Sequence, residues 1–330
     1  MAVYTPLTHD EIAEYLTRYN VGTLVSAKGI TEGVENTNYL LTVIPAEAGI
    51  QTPQQVRGDK YILTLFEQRS RMEDLPYFVS LMQHFSKRGV PCPLPIAKKD
   101  GGVLGALKEK PAMMVSFLEG SGVHAIRMEH MPQLGALVAN MHIAGMDFPH
   151  KRENQLSVDG WEDLRHKIGD RADEIEAGLA DILKEECIYL TEHWPSTLPE
   201  GAIHADLFPD NVFFLRDRGA FKLSGVIDFY FSCHDMWAYD LAICINSWCF
   251  DDRHKFVPER AQALLAAYND VRPMTDEEGR AMPILLRGAA LRFLLTRAYD
   301  WINTPADAQV VKKDPLEYLA KLSFFQKQAL

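Results

Sequence analysis

Four polar side chains within residues 202–215 (AIHADLFPDNVFFL) have types and spacing suited to chemistry: His204, Asp206, Asp210 and Asn211, set between two apolar runs. Their order is H-x-D-x-x-x-x-N. Further on, the apolar run Gly225, Val226, Ile227 ends in Asp228 and Phe229. Asp217, Arg218 and Gly219 form a turn signal between the two, so 212–215 and 221–227 are expected to pair as a hairpin. Such a hairpin brings Asn211 and Asp228 to the same end of neighbouring strands. One amide oxygen and one carboxylate there suit a hard cation such as Mg2+, which takes few protein ligands and keeps water or phosphate oxygens. Asp206, one loop away, is free to accept a proton. Phosphoryl transfer needs this layout, because its catalysis is largely positioning and charge neutralisation. Asp210, following Pro209, reads as a turn residue.

The elements that must hold these groups follow from patterning. Thr8 and Glu11 have capping-box spacing and start a helix to about Tyr19. Runs at 23–28, 37–44 and 61–67 are rich in Val, Ile, Leu, Thr and Tyr and read as strands. The polar segment 46–59 between the last two reads as an exposed hairpin extension without chemistry. A helix is expected over 75–88, with Phe78, Leu81, Met82 and Phe85 on one face, Gly89 at its C′ position and Pro91 beyond. Two more strands follow, at 103–107 and 112–118. Past 119–122 the character changes. Helical spacing covers 131–145 and about 160–193, a strand-rich patch covers 202–229, and helices dominate from Met236 onward. The expectation is an α+β chain of two domains, 1–118 and 119–330.

The 330 residues carry 34 Lys+Arg against 45 Asp+Glu, a net charge of −11 without a basic block, which argues against a nucleic-acid binder. Five cysteines without a CxxC read as reduced thiols, hence a cytoplasmic protein. No apolar run approaches the roughly 20 residues of a membrane helix. Cys244 and Cys249 read as buried small hydrophobes. The Met113–Met114 pair reads as core, with one of the two as a candidate for the adenine pocket. His142, among Leu134, Leu137, Val138 and Met141, reads as a hydrogen-bonded core histidine. Arg287, Arg292 and Arg297 are spaced five apart, which does not keep them on one helix face and leaves one able to point inward.

His204-x-Asp206-x4-Asn211 followed by Ile227-Asp228-Phe229 resembles the catalytic loop and metal-binding Asp of the aminoglycoside phosphotransferase/choline kinase family, relatives of protein kinases. The resemblance spans most of the chain. Residues 33–39 (GVENTNY), 61–67 (YILTLFE), 75–79 (LPYFV) and 88–91 (RGVP) are similar to the homoserine kinases that use this fold. The resemblance implies a protein-kinase-like fold of two lobes: an N-terminal antiparallel sheet lobe with helices and a larger, mainly helical C-terminal lobe. It implies Asp206 as catalytic base, Asn211 and Asp228 as Mg2+ ligands, and His204 and Asp240 as supports of the loop. It implies ATP under a loop at 29–38 with Gly33 and Asn36, and adenine on backbone groups of Ser116 and Leu118. The expected reaction is phosphorylation of L-homoserine, a step of threonine biosynthesis. A carboxylate-binding Arg292 or Arg297 and an ammonium-binding Asp235 are candidates, with Tyr230 and Trp237 as walls. The alternatives are another alcohol (choline, ethanolamine, a sugar, an aminoglycoside), a nucleotide-binding module without turnover, and a metal-dependent hydrolase. The chain departs from the family at Thr64, where a strand Lys normally grips the phosphates, and at Tyr77 or Phe78, where its partner Glu stands. The nucleotide grip is therefore rearranged, with Lys60 or Arg69 as candidates, or weakened.

Overall fold

Thr8 starts the first helix by a reciprocal cap: its hydroxyl accepts from the Glu11 amide at 3.2 Å, and the Glu11 carboxylate accepts from the Thr8 amide at 2.7 Å. The computed structural model describes residues 5–30, 36–45, 58–67, 71–304 and 312–328. It divides into two units, Met1–Leu118 and Glu119–Leu330.

In the first unit, α1 (His9–Leu16) buries Ile12, Tyr15 and Leu16. β1 (Thr23–Gly29), β2 (Thr37–Ile44), β3 (Asp59–Leu65), α2 (Leu75–Lys87), β4 (Gly105–Leu107) and β5 (Lys110–Ser116) follow. The strands form one antiparallel sheet in the order β1-β2-β3-β5-β4. Burial along β2 alternates with period two, so Thr37, Tyr39, Leu41 and Val43 face the core. There they join Ile12, Tyr15, Leu63, Leu65 and Met114. Gly89 ends α2 at φ +82°, a conformation glycine adopts without steric cost. Of the expected extension at 46–59, residues 46–57 lie outside the described residues, and Asp59 opens β3, paired with Val43.

The second unit carries α3 (His130–Gly145), α4 (Val158–Ile168) and α5 (Leu179–His193). Helical spacing over 160–193 does not give one helix, because the chain turns at Gly169 (φ +56°) and Gly178 (φ +82°). Next come β6 (Glu200–Ile203), β7 (Val212–Asp217), β8 (Ala220–Val226), β9 (Cys233–Met236), α6 (Trp237–Trp248), α7 (Pro258–Val271), α8 (Asp276–Asn303) and α9 (Leu316–Lys327). β7 and β8 form the expected hairpin, turning through Arg218 and Gly219, both at positive φ. β9, an element the sequence pattern did not reveal, pairs antiparallel with β6. α3 and α7 pack so closely that a Cβ on Gly135 would stand 2.2 Å from the Leu264 carbonyl oxygen. α6 is buried on nearly every side. All five cysteines are free. Among the described residues no helix is long and apolar enough to cross a membrane.

Candidate active site

The loop between β6 and β7 is held by its own hydrogen bonds to α6. Ala205 sits in the left-handed region at φ +62°, a costly conformation for a residue with a Cβ, held here by Asp240 at the start of α6. The Asp240 carboxylate accepts the amides of His204 (3.0 Å) and Ala205 (2.8 Å) and faces His142 Nε2 at 3.3 Å. Burial pushes the Asp240 carboxyl up, but the bonds from His142 and the loop amides outweigh it and hold the group below its ordinary range. Asp240 is therefore the charged member of its pair with His142, whose protonation burial disfavours. Behind it, His142 Nδ1 accepts from the Tyr268 hydroxyl (2.8 Å), which accepts from Arg272 (2.8 Å), itself paired with buried Glu278. The aromatic ring of Trp237 stacks on His142 on one side and meets Arg272 at 4.3 Å, so this side chain packs within the support and not as a wall of a substrate pocket.

His204 is buried, and its ring has two assigned partners. Nε2 donates to the Ile227 carbonyl at 2.9 Å, and Nδ1 accepts the Asp206 amide at 3.3 Å. Burial pulls its pKa down to about 4, so the imidazole stays neutral. The carbonyl of Leu207 accepts from Trp248 Nε1 (2.8 Å) and from the Ser247 hydroxyl, which ties the loop to α6.

Asp206 projects from this loop, half-buried. Burial raises its carboxyl to about 6, against the attraction of Arg292 and Lys313 and the hydrogen bond from Asn211. The Asn211 amide nitrogen donates to both the Asp206 carbonyl (2.8 Å) and carboxylate (2.9 Å), which turns the amide oxygen away from Asp206. Asn211 directly precedes β7 and Asp228 lies just past β8. Val212 pairs with Val226, and the Ile227 amide donates to the Asn211 carbonyl at 2.9 Å, so both lie at one end of the hairpin. Asp228 is exposed and left-handed at φ +65°. An amide oxygen and an exposed carboxylate at one strand end fit a hard cation that takes its remaining ligands from water or phosphate. Among the described residues no group of three or more His, Cys, Asp or Glu side chains is arranged to hold a metal.

Asp210 is exposed, 3.8 Å from Lys313. Tyr230 lies in the short turn after Asp228. Asp235, in β9, accepts the Met236 amide and the Asn154 side chain, both at 2.7 Å. Arg287, Arg292 and Arg297 of α8 diverge as their spacing requires. Arg287 pairs with Glu186, Arg297 with Glu317 and the Asp314 carbonyl, and Arg292 points into the protein, 1% exposed.

In the first unit, Thr64 lies in β3 and donates to Asn38 at 2.7 Å. α2 carries no acidic residue, and Tyr77 and Phe78 are buried. Lys60 lies 5.1 Å from the Phe117 ring. Asn36 is buried, its side-chain oxygen accepting the Glu67 amide. The Ser116 amide donates to the Leu94 carbonyl, and its hydroxyl accepts the Leu94 amide, so of its backbone groups the amide is already paired within the fold. Gly33 and Arg69 lie outside the described residues. Sequence reasoning missed Lys110, which pairs with Glu67 among the hydroxyls of Thr5 and Thr37. It also missed the tie from His142 to Asp240, across 98 residues of chain.

The profile of the phosphotransferase enzyme family matches residues 26–274. The homoserine kinase of Rhizobium meliloti is 52% identical over 324 residues, 98% of this chain and 94% of that protein. The homoserine kinase of Paramagnetospirillum magneticum is 50% identical over 328 residues, 99% of this chain and 97% of its own. Among solved structures, an amicoumacin kinase in complex with AMP-PNP and Ca2+ superposes with a TM-score of 0.68 at 15% identity, covering 98% of this chain and 93% of that one. A spectinomycin phosphotransferase in complex with ADP gives 0.67 at 13%, covering 97% and 95%. At such low identity these two show the fold, a protein-kinase-like phosphotransferase architecture.

Proposed function

The chain belongs to the phosphotransferase enzyme family, and on that premise we propose that it phosphorylates the side-chain hydroxyl of L-homoserine with ATP, giving O-phospho-L-homoserine and ADP. One observation carries the reading: a chain half identical to homoserine kinases over nearly its whole length holds Asp206 on a braced loop beside Asn211 and Asp228. This is a small-molecule kinase, and its product belongs to threonine biosynthesis.

Asp206 is the base. Its ionised carboxylate accepts the proton of the substrate hydroxyl as that oxygen bonds to the γ-phosphorus, while the bond from phosphorus to the bridging oxygen breaks and ADP leaves. Asn211 holds the carboxylate toward the substrate through its amide nitrogen. Asn211 and Asp228 would hold Mg2+, which would neutralise phosphate charge. His204, neutral and bonded at both ring nitrogens, orients the loop and carries no proton. The backbone at Leu118, at the end of the first unit, is the contact for adenine. With Thr64 in place of a strand lysine, β3 offers no cation at that position, and its one lysine, Lys60, lies four residues away against the Phe117 ring.

The test is ADP release from Mg-ATP in the presence and absence of L-homoserine, with the product identified by phosphorus NMR. The reading expects homoserine-dependent release and one new phosphomonoester. Protein that binds ATP but shows no stimulation by L-homoserine, and turns over choline, ethanolamine or a sugar instead, would contradict it.

A further inference from the structure

Arg292 is buried to 1%, yet its Nε and Nη1 have no hydrogen-bond partner among the described residues. A guanidinium has five donors and cannot shed its charge, so leaving it dry and unpaired is costly. Ring contacts from Phe293 (4.7 Å) and Phe231 (5.7 Å) offset part of that cost but satisfy no N–H group. The other three arginines of α8, Arg280, Arg287 and Arg297, show the ordinary solution, since each is matched with a glutamate. Arg292 has no such match, although its charge is felt at Asp206 and at Asp235. No ion pair joins it to either carboxylate among the described residues. The buried N–H groups of Arg292 are therefore left for a ligand to pair.

Phe208, two residues after Asp206, packs against Phe293, the neighbour of Arg292, with ring centroids 4.8 Å apart. This contact places the Arg292 turn of α8 beside the catalytic loop. Asp235 spends one bond on the Met236 amide and one on Asn154, which leaves each oxygen a further lone pair.

Resting on the homoserine reading above, we propose that Arg292 receives the α-carboxylate and Asp235 the α-ammonium of the substrate, so that the zwitterion's two charges set the reach of its side-chain hydroxyl to Asp206. The enzyme then selects α-amino acids over simple amino alcohols by the anion. A site whose buried donors are built for one group rejects the analogue lacking it strongly, because the donors are left unpaired.

The experiment compares L-homoserine with 3-aminopropan-1-ol, the same chain without the carboxylate, in wild-type, Arg292→Gln and Arg292→Lys enzymes. The wild type is expected to prefer L-homoserine by about 100-fold or more in kcat/KM. In Arg292→Gln that preference should fall by about 100-fold, carried by the KM for L-homoserine, and Arg292→Lys should restore part of it. The melting temperature of ligand-free Arg292→Gln should equal or exceed that of wild type, since an uncompensated buried charge has been removed. Equal loss on both substrates, or a melting temperature several degrees lower, would mark Arg292 as structural and overturn the proposal. An unchanged KM for L-homoserine would also overturn it. A wild-type enzyme that phosphorylates 3-aminopropan-1-ol but not L-homoserine would overturn the reaction reading itself, and is told apart by failing before any variant is made.

Discussion

Asp206 is a carboxylate that folding makes harder to ionise. Burial lifts it to about 6 while Arg292, Lys313 and the Asn211 amide pull the other way. A base must be ionised to accept a proton, so kcat/KM for L-homoserine, which reports the free enzyme, should fall tenfold per pH unit below about pH 6 and level off above it. A rate profile flat from pH 7 to pH 5 would contradict this. The same elevation has a stability consequence of definite sign. The folded state binds the Asp206 proton more tightly than the unfolded chain, so this group's contribution improves as pH falls from about 6 toward 4 and is unfavourable at neutral pH. The gap from its ordinary 3.8 bounds that cost at about 3 kcal/mol. The active residue is thus held at some expense to the fold, as is common where function needs a strained group. At this scale the sequence was legible where the chemistry is local. Asp206, Asn211 and Asp228 lie on one loop and one hairpin, so spacing alone brings them together. Arg292 was legible only as one of three arginines, because which one points inward depends on how α8 is rotated against its neighbours.

The elements around the loop convert that local motif into a rigid site. Asp240, in the first turn of α6, accepts the backbone amides of His204 and Ala205, where a left-handed alanine would otherwise relax. His142 on α3, Tyr268 and Arg272 on α7 and at its end, and Glu278 on α8 extend this into a bonded line across three helices. His142→Leu removes the middle of that line and leaves buried polar groups of Asp240 and Tyr268 short of a partner, a loss of about 2–4 kcal/mol. We expect a lower melting temperature and a lower kcat with little change in the KM for ATP. A variant as stable and as fast as wild type would show that the line does not hold the loop. Patterning located α1, α2, α3 and the β7–β8 hairpin, because capping, periodicity and turn residues are local signals. It ran α4 and α5 together, since Gly169 and Gly178 break the helix without breaking the apolar spacing. It gave no sign of β9, whose four residues pair with β6 and show no alternation of their own. His142 is the bonded core histidine that its apolar neighbours predict, but its partner sits on another helix, outside the reach of any spacing rule.

Over the whole molecule, the change of character near residue 119 follows from two different ways of burying a chain. The first unit closes a five-stranded antiparallel sheet over α1, and the second surrounds short strands with helices. The family resemblance predicted the phosphotransferase fold, and the relatives agree with both the fold and the reaction. The acceptor could not be read from global properties. A net charge of −11 suits a cationic alcohol as well as a zwitterion, so discrimination has to come from single groups such as Arg292. The most direct test of the account is the turnover of Asp206→Asn on L-homoserine, measured alongside its ATP affinity and melting temperature. The account predicts a fall in kcat of about 10²–10⁴-fold, ATP binding close to wild type and a melting temperature no lower than wild type. Near-normal turnover in a folded, ATP-binding Asp206→Asn protein would contradict it.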